Sequence, residues 1–166
     1  MTKDTSWARL SRRSVSIGAL LPGTISDQLR QLVFFVDTSG SVSHAMCREM
    51  ISEAAGALDQ GTADMMTIVY ADTHVQHVDN YVQGDIVEAG KYSGGGTAFR
   101  NSFEWLKENA PDASCVIYLT DMETSDWGDE PDCPVMWAVF TPDYRYDQVI
   151  AEAPFGQAIH ISNLSG

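Results

Sequence analysis

The sequence predicts a three-layer, doubly wound (Rossmann-like) α/β fold with a mostly parallel sheet and one antiparallel edge strand. Three observations carry this. Uninterrupted apolar runs recur along the chain, as strands covered on both faces require. Segments with helical spacing stand between them, which is the alternation of a parallel sheet with crossover helices. Two of the runs are joined only by Ala71-Asp72-Thr73, too short for a parallel crossover, so that pair is an antiparallel hairpin.

The elements follow in order. Leu32 to Val36 is apolar, β-branched and aromatic, hence a buried strand, and it stops at the polar turn Asp37-Thr38-Ser39-Gly40-Ser41. From about Val42 to Asp59, Met46, Met50, Ala54 and Leu58 recur at i+4 with Cys47, Ile51 and Ala55 beside them, an amphipathic helix that Ser41 can cap and Gln60-Gly61 can end. Met65 to Tyr70 and Val75 to Val78 form the hairpin strands. A weakly patterned stretch, Tyr81 to Tyr92, leaves room for a short helix near Asp85–Ala89. After Ser93-Gly94-Gly95-Gly96, Thr97 opens a helix to about Asn109, with Phe99, Phe103 and Leu106 on one stripe and Pro111 closing it. Cys115 to Leu119 is the next buried strand and ends at Thr120-Asp121. Residues 122–134 are acidic, contain Gly128, Pro131 and Pro134, and read as loop. Val135 to Phe140, Tyr144 to Ala153 and Gln157 to Ser162 read as strand, helix and strand. Met46, Met50, Met65 and Met66 read as core filler.

The 166 residues suit one domain with a core of its own. Residues 1–30 differ in composition: five Lys/Arg stand against two Asp, whereas beyond them five Lys/Arg stand against 21 acids, within a net charge of −13. They read as a basic N-terminal arm packing on or leading into a domain at 31–166, with Trp7, Ile17 and Leu20-Leu21 as anchors, or else as a disordered arm. An acidic body repels phosphate backbones, which argues against nucleic-acid binding and for a basic partner, cations or solubility alone. Three cysteines, Cys47, Cys115 and Cys133, make no disulfide framework and suit a reducing cytoplasm. No apolar stretch is long enough to span a membrane. Ser11-Arg12-Arg13-Ser14 mimics a twin-arginine export signal, but Gly18 and Pro22-Gly23 cut the following apolar run short and no small-residue cleavage site follows.

Three polar clusters fall where open α/β sheets place ligands, beyond the carboxyl ends of strands. They are Asp37-Thr38-Ser39-Gly40-Ser41, Gly94-Gly95-Gly96-Thr97 and Thr120-Asp121. Mg²⁺ takes about six oxygens and keeps several waters. The hydroxyls of Ser39 and Ser41 can point to one spot from a tight turn, Thr97 can add a third, and Asp37 and Asp121 can hold the ion, one or both through water. Neutral ligands leave the metal charge largely unquenched, so such an ion seeks a carboxylate from outside.

Asp37-x-Ser39-x-Ser41, Thr97 and Asp121 resemble, in order and context, the metal-ion-dependent adhesion site (MIDAS) of von Willebrand factor A-type (vWA) domains. The resemblance implies that Ser39, Ser41 and Thr97 are direct ligands of Mg²⁺ (or Mn²⁺ or Ca²⁺), with Asp37 and Asp121 contributing mainly through water. The strand with Asp-Thr-Ser-Gly-Ser, Gly-Gly-Gly-Thr and Leu119-Thr120-Asp121 is similar to the vWA-like domain that ends a family of predicted bacterial and phage metallopeptidases. Trp7 with Arg12-Arg13 and Leu21-Pro22 resembles the segment entering that domain, so the likeness covers about residues 7–162. The peptidase half of that family carries His-Glu-x-x-His, which is missing here; His44, His74, His77 and His160 are scattered. A helix that larger vWA domains have between the equivalents of Asp121 and Val135 is also missing.

The leading expectation is therefore a non-catalytic interaction module that grips a partner's Asp or Glu through the ion. The resemblance implies a metallopeptidase-like chain or an AAA+ ATPase as partner; oligomeric state is not legible. One rival is a haloacid-dehalogenase-type phosphatase with Asp37 as nucleophile and Asp121 or Asp126 on the metal. Past residue 30, however, only Lys91 and Lys107 could supply its lysine, and Ser39 replaces its acid/base aspartate. Another is an assembly protein with a vestigial metal site. Simpler readings make Ser39 and Ser41 helix caps, Gly94–Gly96 a flexible turn, Asp121 a turn cap, the acids of 122–132 a solvated face, and Trp127 a packed indole rather than an interface anchor.

Overall fold

The computed structural model describes residues 29–38, 44–61, 63–88 and 98–161. The arm residues Trp7, Ile17, Leu20 and Leu21 and the cap residue Ser41 lie outside them. The strands are β1 (Leu29–Asp37), β2 (Ala63–Ala71), β3 (Val75–Val82), β4 (Cys115–Thr120), β5 (Val135–Val139) and β6 (Gln157–His160). The helices are α1 (His44–Asp59), α2 (Phe99–Asn109) and α3 (Asp143–Ala151). They build one six-stranded sheet in the order β3-β2-β1-β4-β5-β6. All neighbours are parallel except β2 and β3.

The continuous apolar runs are explained by burial on two sides. Leu32, Phe34 and Val36 point into a core shared with α1, and Val33 and Phe35 into a core shared with α2 and α3. All five are fully buried. Strand β4 divides likewise: Cys115, Ile117 and Leu119 face α1, while Val116 and Tyr118 face α2. Helix α1 buries Cys47, Met50, Ile51, Ala54 and Leu58, and α2 buries Phe99, Ser102, Phe103 and Leu106, both the stripe that a 3.6-residue period lays on a sheet.

Trp137 on β5 organises the α2 side. Its ring meets Phe99, Phe103, Tyr118, Trp127 and Phe155 at centroid distances of 5.1 to 6.0 Å, and its indole N–H donates to the Phe155 carbonyl at 2.9 Å. Residues 121–134 contain no helix; Trp127 from this loop packs on Phe99 and Trp137 instead, which is the packed-indole reading.

Several expectations need correction. Strand β3 runs on to Val82 because its register with β2 continues to Met65, aided by a 2.7 Å hydrogen bond from Thr67 Oγ1 to Asn80 Oδ1. Residues 85–88 form no helix. Asp85 closes a turn there, donating its N–H to the Val82 carbonyl and accepting from the Val82 N–H. Met50 and Met66 are core, but Met65 is 36% exposed, since it points to the opposite face from Met66 near the start of β2, beside the exposed Val82 of edge strand β3. No helix among the described residues is long and apolar enough to cross a membrane.

Two predictions test the core. Gly156 has φ +86°, and a Cβ there would lie 2.6 Å from the Trp137 indole nitrogen and 3.0 Å from the Val135 carbonyl oxygen. Gly156→Ala should cost about 1–3 kcal/mol, read as a lower urea midpoint at unchanged slope. Burial, with a smaller push from Cys133, raises the Cys115 thiol from 9.0 to about 12. Its stabilising contribution is complete below the unfolded-state value and is lost as pH rises from 9.0 toward about 12. Unfolding free energy should fall across that window, and less steeply in Cys115→Ala.

Candidate functional site

The strand order places a topological switch at β1. The chain leaves β1 toward β2 on one side, and β4 takes the other. Open α/β sheets place ligands at such switch points, beyond the carboxyl ends of their strands. Asp37 ends β1 and Thr120 ends β4, in adjoining parallel strands whose register runs through Val36 and Leu119. The pairing is sealed by a side-chain bond: Thr120 Oγ1 donates to Asp37 Oδ2 at 2.5 Å. Asp37 and Asp121 are 1% and 4% exposed, so two carboxylates from separated segments are nearly dry at the carboxyl ends of adjacent strands.

Local hydrogen bonds fix the turn after β4. Thr120 Oγ1 also accepts from the Met122 N–H at 3.0 Å, and Asp121 Oδ1 accepts from the Glu123 N–H at 3.0 Å. Met122 takes a φ of +62°, a conformation that side chains with a Cβ rarely adopt. It is held by its burial in the α2 core and by the Thr124 N–H donating to its carbonyl at 3.0 Å. Two arginines brace the loop from the helices. Arg100 of α2 meets Asp126 at 2.9 Å, and Arg145 of α3 meets Glu123 through both guanidinium nitrogens at 3.1 and 3.4 Å. These pairs are half-exposed and serve position more than stability.

Beneath the rim lies Tyr118. Its hydroxyl shares a 2.8 Å hydrogen bond with Ser102 of α2, and its ring packs on Phe99 at 4.6 Å. Burial pushes the Tyr118 phenol up; the Asp37 carboxylate and, more weakly, Asp72 push it further, against the Ser102 bond. The first turn of α2 therefore stands beside the same rim as Asp37. Thr38 is buried next to it, its N–H donating to the Ala71 carbonyl at 2.9 Å.

Of the five residues singled out from sequence, the structure brings Asp37 and Asp121 to neighbouring strand ends; Ser39, Ser41 and Thr97 lie outside the described residues. Among the described residues no three His, Cys, Asp or Glu side chains gather to hold a metal ion. A cation on this rim would thus need oxygens besides those of the Asp37 and Asp121 carboxylates. Two rim residues, Thr120 and Asp72, enter the sequence reading only as part of a polar cluster and of a turn. Thr120 was legible only as the neighbour of Asp121, since its bond crosses 83 positions. Asp72 follows Ala71, the β2 register partner of Asp37, and nothing in its local sequence sets it apart from a turn acid.

A family model described as VWA-like domain (DUF2201) matches residues 32–162, from the core of β1 to just past β6. No curated protein matches the chain.

Thr120→Val should remove the hydroxyl's bonds with Asp37 Oδ2 and the Met122 N–H and cost about 1–3 kcal/mol. Thr120→Ser should retain most of the stability. Urea unfolding of the two variants side by side checks this.

Proposed function

The chain belongs to the VWA-like domain (DUF2201) family, and from that premise we propose that it is a non-catalytic protein-interaction module. It binds a divalent cation, Mg²⁺ or a similar ion such as Mn²⁺ or Ca²⁺, at the carboxyl ends of β1 and β4. Through that ion it grips an Asp or Glu of a protein partner.

One observation carries the reading: two nearly dry carboxylates, Asp37 at the end of β1 and Asp121 one residue past the end of β4, stand at the switch point between adjacent strands. The Thr120 hydroxyl orients Asp37. A cation bound there would stabilise both ionised carboxylates, since an opposite charge nearby favours the charged form. The residues that would hold it are Asp37 and Asp121, with the hydroxyls of Ser39, Ser41 and Thr97 from the Asp-Thr-Ser-Gly-Ser and Gly-Gly-Gly-Thr segments. Such a donor set, short in charge and rich in hydroxyls, suits a hard ion. When bound, the ion supplies a Lewis-acidic position for an incoming carboxylate. The chain's own part is to orient Asp37 through Thr120 and to hold the 121–126 loop with Arg100 and Arg145.

The partner in this reading offers an exposed Asp or Glu, and the likeness to the metallopeptidase family suggests a metallopeptidase-like chain or an AAA+ ATPase. The free thiols Cys47, Cys115 and Cys133 suit a reducing compartment such as the cytoplasm.

Thermal unfolding with and without the ion tests the proposal. Saturating Mg²⁺ or Mn²⁺ should stabilise the protein by about 2–3 kcal/mol at a hundredfold excess over Kd. Asp37→Ala and Ser39→Ala should fold but lose that gain. Calorimetry that detects no ion uptake by the intact protein, alone or with an Asp-containing peptide, would sink the idea.

A further inference from the structure

Away from the rim, a groove of about 620 Å³ separates α2 from the chain that enters β5. We propose that it is a docking site for a basic peptide segment of a partner protein, one that presents several Lys or Arg residues.

The groove has a fixed shape. At one end the loop is fastened to the first turn of α2: the Phe99 N–H donates to the Asp126 carbonyl at 2.8 Å, and Arg100 pairs with Asp126 at 2.9 Å. Gly128 sits so close that a Cβ would lie 2.7 Å from the Arg100 Cα. Beyond that fastening, helix and loop stand apart. Phe103, Leu106 and Ala110 form an apolar floor, each 3–4% exposed. The walls are acidic: Glu104 and Glu108, one helical turn apart, face Asp129, Glu130 and Asp132. Among the described residues none of these five carboxylates is in an ion pair. Of the two cations lining the groove, Arg100 is engaged by Asp126, which leaves Lys107 against five acids.

This combination selects its occupant by chemistry. A nucleic acid or other polyanion is repelled. A single metal ion is not served, because no three acidic side chains among the described residues converge on one point. Lys and Arg side chains fit both parts: their aliphatic stems cover apolar surface while their heads reach carboxylates. An extended basic segment spreads several such heads along the walls, in a chain whose net charge of −13 steers cations toward it. The site is independent of the rim ion and does not rest on it.

The test is fluorescence anisotropy of a labelled alternating Arg-Ala peptide, run in EDTA to silence any divalent-ion site. Saturable binding is expected. Reversing both walls with Glu104→Lys and Asp129→Lys should weaken it about tenfold or more. The pair Glu49→Lys and Glu152→Lys, an equal charge change at exposed positions on α1 and after α3, should leave it within about threefold. Equal losses in the two pairs, or no saturable binding, would overturn the proposal. Amide shift mapping on the unaltered protein gives a second reading that no variant can spoil. Peptide-induced shifts confined to 103–110 and 129–133 support the groove, and shifts confined to any other surface refute it.

Discussion

Asp37 follows five residues sealed from water on both sides of the sheet, so its carboxylate must be satisfied by protein groups. Strand β4, the neighbour of β1, supplies the nearest answer in the Thr120 hydroxyl. Much of the rim follows from that contact. It ties β1 to β4 where the sheet's winding reverses and shares one hydroxyl between Asp37 and the Met122 amide. Asp121 is thereby placed one residue beyond the join. A carboxylate in water would impose none of this; a dry one organises the chain around it.

The α2 side of the sheet converts the long acidic loop into part of the fold. Without a helix between β4 and β5, the loop would leave aromatic surface bare. Trp127 closes that gap against Phe99 and Trp137, and Arg100 and Arg145 hold the loop's acids from two different helices. The same tethering leaves Asp129, Glu130 and Asp132 standing across from Glu104 and Glu108 as a separate acidic groove. The acids after Asp121 therefore divide: Glu123 and Asp126 are structural tethers, and those from Asp129 onward line the groove.

Legibility in the sequence tracked how local each determinant is. Strands β1 and β4 were plain because burial on two faces forces unbroken apolarity, and α1 and α2 because one-sided burial imposes a 3.6-residue stripe. Strand β3 was read four residues short, since half of it is polar and it owes its length to pairing with β2. Met65 and Met66 are alike in sequence, yet the pleat sends one to an exposed stretch of one face and the other to the core on the opposite face. The candidate site was legible as strand-ending acids beside serines and glycines. The role of Thr120 was not, because its bond to Asp37 joins strands that become neighbours only after folding.

By itself, the sequence determined the alternation of strands and helices, the hairpin forced by a three-residue connection, and the polar residues that end the central strands. These depend on periodicity and chain length, which are properties of short segments. Only the tertiary structure decided that Asp37 and Thr120 would share a proton's bond across the sheet. It also decided that Trp127 would replace a missing helix, and that acids on α2 would face acids on a loop. Each of these needs two segments far apart in the chain to meet, and that meeting is set by the packing of the sheet and its helices together.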